Sequence, residues 1–382
     1  MRSLLSTKEQ RQLRLLEILI QKRDWIRLNE LAQTLECTER ILKNDLNELR
    51  TAFPSFKIQS SINGIMLNLD TAASIEDIYI YFLSHSQSFQ LLEYMFFNEG
   101  LPIYRTVEKL HSSNANLYRL GNRITTILSK QFQIELSFTP TSLNGNEIDI
   151  RYFYAQYFSE RYYFLDWPFP DISEKVITEF ADYFYKSTNY PMRFAIYRMY
   201  KLMLAISIHR VKNGHFIDLP NHFYQDYYPV LMNLPDFEDK LAYFSQQFGL
   251  EMTPDIVAQI FISFLQNDIF LDPQQFFDSL NKNDESRYSY QLLSQILERL
   301  SKAFNIKFAN HDELIWHLHN TAYFERQETF STPLLFEQKR ITLEKFKVYF
   351  PDFMESARQE LAQYRQAIGQ HDHPEQLEHL MY

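Results

Sequence analysis

The sequence predicts a mainly α-helical protein with two small β-hairpins towards its N-terminal end. Only 7 of its 382 residues are glycine, whereas 33 are phenylalanine and 25 are tyrosine. So few glycines disfavour folds that need many tight turns. Hydrophobic residues make up 45% of the chain, which is enough to build packed cores. From about residue 153 to the end, apolar residues recur at helical spacing.

The composition excludes several kinds of chemical site. Cys37 is the single cysteine, so neither a disulfide framework nor a zinc ribbon can form within one chain. The sequence contains no GxGxxG or Walker pattern and no catalytic triad order. On a helix, His317 and His319 point roughly 160° to 200° apart and cannot share a metal ion. We therefore expect no enzyme activity, no cofactor and no metal site.

The N-terminal stretch has neither the apolar segment nor the small-residue cleavage site of a signal peptide. No run of residues approaches the roughly 18 apolar positions that a membrane span needs. These two observations predict a cytoplasmic protein that does not contact a membrane.

Charge is distributed unevenly along the chain, which has a formal net charge of −10. Residues 1–70 carry 11 Lys and Arg against 9 Asp and Glu, whereas residues 151–382 carry 22 against 31. Because nucleic acid repels acidic surfaces, we expect any DNA contact to lie in the N-terminal part.

A winged helix-turn-helix unit is predicted at the N-terminus. Helical spacing of apolar residues marks Lys8–Gln21, Leu28–Leu35 and Thr38–Arg50. Alternation over Phe56–Leu69 around Asn63-Gly64 then indicates a hairpin. In a helix-turn-helix, the helix that follows the turn lies in the major groove of double-stranded DNA, and here that helix is Thr38–Arg50.

The polar face of the Thr38–Arg50 helix is the candidate reading face. Thr38 is a good N-cap, and Arg and Lys suit guanine or phosphate, whereas Asn suits adenine. The alternative is a solvated helix face of the kind that any globular protein has. The predicted DNA-binding residues of this unit are Thr38, Arg40, Lys43, Asn44 and Asn47.

A second helix-turn-helix unit is predicted to follow at an offset of 75 residues. Leu35, Leu42 and Leu49 align with Leu110, Leu117 and Ile124 at that offset. Short and long helices are expected over Ile103–Leu110 and Asn114–Ser129, and a hairpin is expected around Asn144-Gly145, with Phe132–Phe138 and Glu147–Arg151 as its arms. The predicted DNA-binding residues of this unit are Asn116, Arg119, Asn122 and Arg123.

Two later segments resemble each other. Tyr200–Arg210 and Glu313–Arg326 each form an amphipathic pattern that ends in Arg and is followed by an aromatic-Pro helix start. The polar stretch Asn281–Ser286 is interpreted as a linker between them.

The stretch Asp312–Gln327, DELIWHLHNTAYFERQ, resembles the Mga family of transcription regulators, as does Leu143–Phe153. The resemblance implies two helix-turn-helix units followed by two helical phosphotransferase-system regulation domains (PRDs). We assign these units to residues 1–70, 71–152, 153–281 and 282–382. It also implies promoter DNA and phosphotransferase-system proteins as partners, with a possible homo-oligomer. Family members continue into a domain like a sugar-transporter IIB protein, so the second PRD is expected to be incomplete here.

The resemblance also implies that PRD histidines accept a phosphoryl group. PRDs tend to place a histidine seven residues before the Arg that ends a helix, and His319 has this spacing from Arg326. The corresponding position of the first PRD is Met203. A packed structural histidine is the alternative at each position. The candidate phosphoacceptors are His319, His317, His209 and His215.

Two other functions remain open from the sequence. An interaction or decoy protein lacking the C-terminal domain would pair with a full-length regulator without activating transcription. An RNA-binding antiterminator is the third hypothesis, because PRDs also occur in that class. The helix-turn-helix pattern favours a DNA-binding regulator over both.

Overall fold

A computed structural model describes residues 1–70, 74–132, 134–162, 166–186, 194–218, 232–265, 270, 273–324, 337–370, 377 and 380–381. These residues form 17 α-helices and two small antiparallel sheets of two strands each, which confirms the mainly helical fold class. Among them, no helix combines the length and the apolar character that crossing a membrane requires.

The first unit contains three helices and a hairpin. In chain order these are α1 (Thr7–Lys22), α2 (Leu28–Thr34), α3 (Glu39–Ala52), β1 (Phe56–Ser61) and β2 (Gly64–Leu69). A short 3-10 helix, Arg2–Leu4, precedes them.

Caps and apolar spacing fix the helices of this unit. Ser6 and Glu9 form a capping box at the start of α1. Thr38 caps α3, because its Oγ1 accepts a hydrogen bond from the Ile41 amide at 3.3 Å. The predicted stripe of Leu42, Leu46 and Leu49 on α3 is buried, so the opposite face of α3 is left to solvent.

The hairpin is held firmly against the body of the unit. Its register runs from Phe56 opposite Leu69 to Ser61 opposite Gly64, so the two-residue turn is Ile62-Asn63, one residue earlier than the Asn63-Gly64 signal indicates. Ile26 forms a further bridge with Ile65. Gly64 has a φ of 125°, and a Cβ there would lie 2.1 Å from the carbonyl oxygen of Ile26. Only glycine allows this approach.

The second unit begins with one additional helix, and its second helix ends 75 residues after α1 does. Its elements are α4 (Ile75–His85), α5 (Gln87–Phe97), α6 (Ile103–Lys109), α7 (Asn114–Phe132), β3 (Glu135–Phe138), β4 (Thr141–Asn144) and α8 (Glu147–Arg161).

The predicted turn of the second hairpin is wrong. The strands β3 and β4 are joined through Thr139-Pro140, whose peptide bond is cis. Asn144-Gly145 instead ends β4, and the next residue, Asn146, caps α8 by accepting a hydrogen bond from the Ile148 amide at 2.9 Å. Glu147–Arg151 is therefore the first part of a helix and not a strand, because the side-chain cap starts a helix at the turn signal.

The repeat of 75 residues extends to the backbone. Helices α2 and α6 coincide at this offset, and α3 and α7 begin at equivalent residues. Between them, Glu36 and His111 both take the left-handed conformation, with φ of 50° and 46°. The next amides, of Cys37 and Ser112, both bond the carbonyl five residues earlier. The turn between the two helices is thus the same in both units.

The remaining helices build two bundles. The first contains α9 (Glu174–Lys186), α10 (Phe194–Lys212), α11 (Phe237–Phe248) and α12 (Pro254–Leu265). The second contains α13 (Pro273–Ser279), α14 (Asp284–Phe304), α15 (His311–Phe324), α16 (Glu337–Tyr349) and α17 (Pro351–Ala367).

Two separate apolar cores lie in the described part of the chain. One extends from Met1 to Phe261 and encloses both helix-turn-helix units together with the first bundle. The other extends from Phe276 to Leu380 and belongs to the second bundle. The predicted linker Asn281–Ser286 is shorter than expected, because Asn283 caps α14 and Ser286 is already buried within it. Arg326 and the aromatic-Pro start Tyr228-Pro229 lie outside the described residues.

Candidate DNA interface and candidate phosphoacceptor histidines

The exposed face of α3 carries the predicted contact residues together. Arg40, Lys43, Asn44 and Asn47 are all exposed, as is their cap, Thr38. Within the described residues, no hydrogen bond or ion pair engages the side chains of Arg40, Lys43 or Asn44. Their donors are therefore directed to solvent, where a ligand would meet them.

Two of the three acidic side chains of α3 form ion pairs with α1. Arg11 of α1 forms an ion pair with Asp45 at 2.7 Å, and Lys8 forms one with Glu48 at 2.6 Å. Hydrogen bonds from Lys8 and Gln12 lower the pKa of Glu48. These pairings neutralise acids that would otherwise repel phosphate, although Glu39 stays exposed on the reading side.

Arg50 braces the hairpin against α3. Its Nε donates to the carbonyl oxygen of Ile58 at 3.0 Å, and its guanidinium also donates to Ser60. A further bond reaches Oδ1 of Asn47 at 3.1 Å. One side chain therefore connects the reading face with the strand that leads to the hairpin tip, and it fixes their separation.

The predicted contact residues of α7 divide into two groups. Asn122 is exposed, and exposed Arg119 donates to Oδ1 of Asn116 at 2.8 Å. Arg123 lies apart from them, because its guanidinium donates to the Leu4 carbonyl and to Ser88 Oγ, the latter at 3.3 Å. Arg123 thereby ties the second unit to the N-terminus of the chain.

His319 is completely buried in the second bundle. Its Nδ1 lies 2.7 Å from Ser289 Oγ on α14, and that hydroxyl lies 2.7 Å from the hydroxyl of Tyr364 on α17. Its ring stacks on Tyr323 at 4.2 Å between centroids and also contacts Phe276. In this packing the ring joins three helices and has no exposed nitrogen.

His317, on the same helix as His319, has the more accessible ring of the two. Its side chain is 43% exposed, and its Nε2 lies 3.7 Å from Oε1 of Glu313 one turn earlier on α15.

The two candidates in the first bundle contact the last turn of α5 and the residues just after it, in the second helix-turn-helix unit. His209 Nε2 lies 2.9 Å from the carbonyl oxygen of Phe96, and His215 Nε2 lies 2.7 Å from Oε2 of Glu99. Burial lowers the pKa of His209, and the neighbouring charges of Arg210 and Lys212 add to this against the opposing hydrogen bond to Phe96.

These histidines border a buried network of charged groups. Arg210 bonds both carboxylate oxygens of Glu147 and lies 3.0 Å from Glu99. Arg151, fully buried, pairs with Glu147 at 2.9 Å and donates to the Gln259 carbonyl at 2.6 Å. Burial alone would raise the pKa of Glu147, but hydrogen bonds and charges from Arg210 and Arg151 hold it below its usual value.

The network fastens the second helix-turn-helix unit to the first bundle through α8, α10 and α12. Sequence reasoning missed it, since its members are far apart in the chain and no local spacing links them. The one available signal was the presence of Arg151 and Arg210 within helices rich in aromatic and aliphatic residues, where an unpaired charge is unfavourable.

Two helix-turn-helix units, each followed by a hairpin and built onto helical bundles, are typical of a transcription regulator. Three domain families match the chain in this order. The M protein trans-acting positive regulator (MGA) HTH domain matches residues 6–65, the Mga helix-turn-helix domain 71–158 and the MGA PRD domain 173–382. The chain belongs to the Mga family, as the sequence resemblance predicts.

Relatives agree with this assignment. A trans-acting regulator of Streptococcus pneumoniae serotype 4 is 38% identical over 383 residues, covering 100% of this chain and 78% of the relative. The capsule synthesis positive regulator AcpB of Bacillus anthracis is 21% identical over 93% of this chain and 76% of its own length. AcpA of the same organism is 24% identical over 54% of this chain and 43% of its own length.

Proposed function

We propose that this regulator binds double-stranded promoter DNA through the exposed face of α3, with the α7 face as a second contact, and that phosphorylation of PRD histidines tunes the binding. The observation that carries the DNA proposal is the set of unengaged donors on Arg40, Lys43 and Asn44. They stand on a capped helix that follows a helix-turn-helix turn. Such a helix enters the major groove by its N-terminal residues, and all three lie within its first two turns.

The α7 face supports a weaker contact. At the 75-residue offset, Asn122 replaces Asn47 and Arg119 replaces Asn44, but Tyr118 stands where Lys43 would be. Of the four residues predicted there, Arg119 is the exposed cation, since Arg123 is used inside the protein. The α7 face should therefore contribute less electrostatic affinity than the α3 face.

Selection from a random-sequence duplex pool tests DNA binding. The purified full chain should enrich one family of sequences, and the logarithm of its affinity for the winning duplex should fall linearly with the logarithm of salt concentration. Replacing both Arg40 and Lys43 with Ala should reduce that slope by about 2, because each phosphate that the protein neutralises adds roughly 0.9 to it.

A matched control changes the same charge elsewhere. Lys175 and Lys302 are 85% and 80% exposed on the two helical bundles, and their double Ala variant should bind with an unchanged slope. If affinity depends on salt concentration equally in the two double variants, the exposed face of α3 does not bind DNA. A folded chain that enriches no duplex would favour the decoy hypothesis instead.

The phosphorylation proposal is supported by histidines placed at both bundles. A neutral imidazole is a competent nucleophile at cell pH, and a phosphoryl group adds roughly −1.5 to −2 charges. His317 is accessible as the chain stands. Attack by His319 requires α15 to separate from Ser289 and Tyr364, and modification at the bonded nitrogens of His209 or His215 requires their contacts with α5 to break.

Labelling with phosphotransferase-system proteins and phosphoenolpyruvate tests these candidates. The wild-type chain should acquire an acid-labile, base-stable label, and single Ala variants at His317, His319, His209 and His215 should identify its position. Equal labelling of a variant lacking all four histidines would refute the assignment. His311, 37% exposed beside Asp312 on the same helix, is a suitable control position.

A further inference from the structure

The tip of the first hairpin is an apolar projection in an otherwise polar setting. Ile62 lies in its two-residue turn and is 103% exposed. Single exposed apolar residues are common on protein surfaces, so this exposure alone identifies nothing. The surroundings of Ile62 carry the argument.

The hairpin changes character along its length. At its base, Phe56, Ile58, Ile65 and Leu67 are buried against the body of the unit. From residue 59 to residue 63, every residue is exposed, so the tip projects beyond the core on all sides. Its other members, Gln59, Ser60, Ser61 and Asn63, are neutral and polar.

The projection carries no acidic charge. Residues 49–69 contain no Asp or Glu, although the whole chain has 48. Lys57 pairs with Asp70 at 3.4 Å, so Arg50 supplies the remaining positive charge of this segment. A neutral to basic projection can approach a polyanion that the rest of an acidic chain would repel.

The aim of the tip is fixed relative to α3. The Arg50 brace holds the strand at Ile58 and Ser60 and also bonds Asn47 on the reading helix. On the other side, the Ile26–Ile65 bridge and the close approach at Gly64 hold the second strand. The tip therefore keeps one position relative to α3 and to any ligand that α3 binds.

We propose that Ile62 enters the DNA minor groove next to the major-groove site of α3 and makes that flank prefer A·T pairs. This inference rests on the proposed DNA binding. Proteins that bind the minor groove frequently insert apolar side chains, isoleucine among them, between base steps. A guanine there places its N2 amino donor against the tip, and an apolar residue cannot satisfy that donor.

Inosine substitution isolates the minor groove. An I·C pair presents the major-groove pattern of G·C but lacks the N2 amino group in the minor groove. On the duplex selected by the wild-type chain, G·C pairs placed in the flank should weaken binding, and I·C pairs at the same positions should restore it. The Ile62→Asn variant should bind the A·T flank about tenfold more weakly and should show no difference between G·C and I·C.

One control and three possible outcomes make the result decisive. The Val348→Asn variant, changed at another β-branched residue that is 76% exposed, should bind as the wild type does. If Ile62→Asn keeps wild-type affinity and flank preference while the Arg40 and Lys43 variant loses affinity, the minor-groove inference is overturned and DNA binding by α3 stands. If Ile62→Asn binds DNA normally but abolishes transcription in a reconstituted assay, the tip contacts a protein, and the inference is likewise wrong. A wild-type chain that selects no duplex refutes the proposed function and this inference together.

Discussion

The contact between Gly121 and Phe138 predicts that Gly121→Ala destabilises α7 when Phe138 is present and stabilises it when Phe138 is replaced by Ala. Gly121 is buried in the interior of α7, where replacing Gly by Ala normally stabilises a helix by about 1 kcal/mol. Here an added Cβ would lie 2.4 Å from Cε2 and 2.6 Å from Cζ of Phe138 on β3. The helix therefore carries a glycine because the wing packs directly against its backbone.

The size of the effect follows from two opposing contributions. The Phe138 ring is 9% exposed and has Tyr118 at 5.1 Å between centroids, so it has little room to retreat. Overpacking of this kind typically costs about 1 to 3 kcal/mol, which outweighs the gain in helix propensity. We expect Gly121→Ala to destabilise α7 by about 1 kcal/mol. In a Phe138→Ala background, where the ring is gone, the same change should stabilise it by about 1 kcal/mol.

Hydrogen exchange of the α7 amides in the full chain measures this locally. A change of about 1 kcal/mol alters the opening constant about fivefold, so Gly121→Ala should speed exchange with Phe138 present and slow it with Ala there. Thr126→Ala, at an exposed position of the same helix, should act alike in both backgrounds. Slower exchange for Gly121→Ala beside an intact Phe138 would show that the ring does not restrict this position.

Three further predictions concern the interface and the network. Thr38→Ala removes the α3 cap and should lower the free energy of unfolding of the first unit by about 1 kcal/mol, which urea denaturation of the full chain would detect as an earlier first transition. Arg210→Met leaves Glu147 and Glu99 short of a partner and should destabilise the first bundle by about 3 to 5 kcal/mol; a thermal midpoint that matches the wild type would refute a structural role. Since burial lowers the pKa of His209, keeping its ring neutral contributes stability above the unfolded pKa of about 6.5, and that contribution is lost as pH falls through the lower folded pKa. The His209→Gln variant should accordingly lose less stability than wild type between about pH 7 and pH 5 in urea titrations, and parallel curves would contradict this.

Local signals in the sequence predicted the reading units because their information is local. Apolar spacing, the Thr38 cap and the Asn63-Gly64 hairpin signal each act over a few residues. The same kind of signal misplaced the second hairpin. Asn144-Gly145 is compatible with a hairpin turn and with a strand end before a cap, and Asn146 decides between them by bonding the Ile148 amide.

The junction network and the environment of His319 could not be predicted in this way. Glu99, Glu147 and Arg210 are brought together only by the packing of α5, α8 and α10. The burial of His319 depends on Ser289, which lies 30 residues before it in the chain. Ser289 in turn contacts Tyr364, which lies 75 residues after Ser289. The family resemblance nominated this histidine, but only tertiary structure shows that its ring is enclosed.

The shared core of the two helix-turn-helix units has a consequence for the DNA they would read. Because Arg123 binds the Leu4 carbonyl and one apolar core encloses both units, α3 and α7 are mounted on one body and not on a flexible tether. The distance between α3 and α7 is therefore fixed. A duplex that contacts both helices must present its two sites at that one distance and on the same side of the double helix. Half a turn of DNA, about 5 base pairs, inserted between the sites would carry one of them to the opposite side, whereas a full turn would return it to the same side at a greater distance.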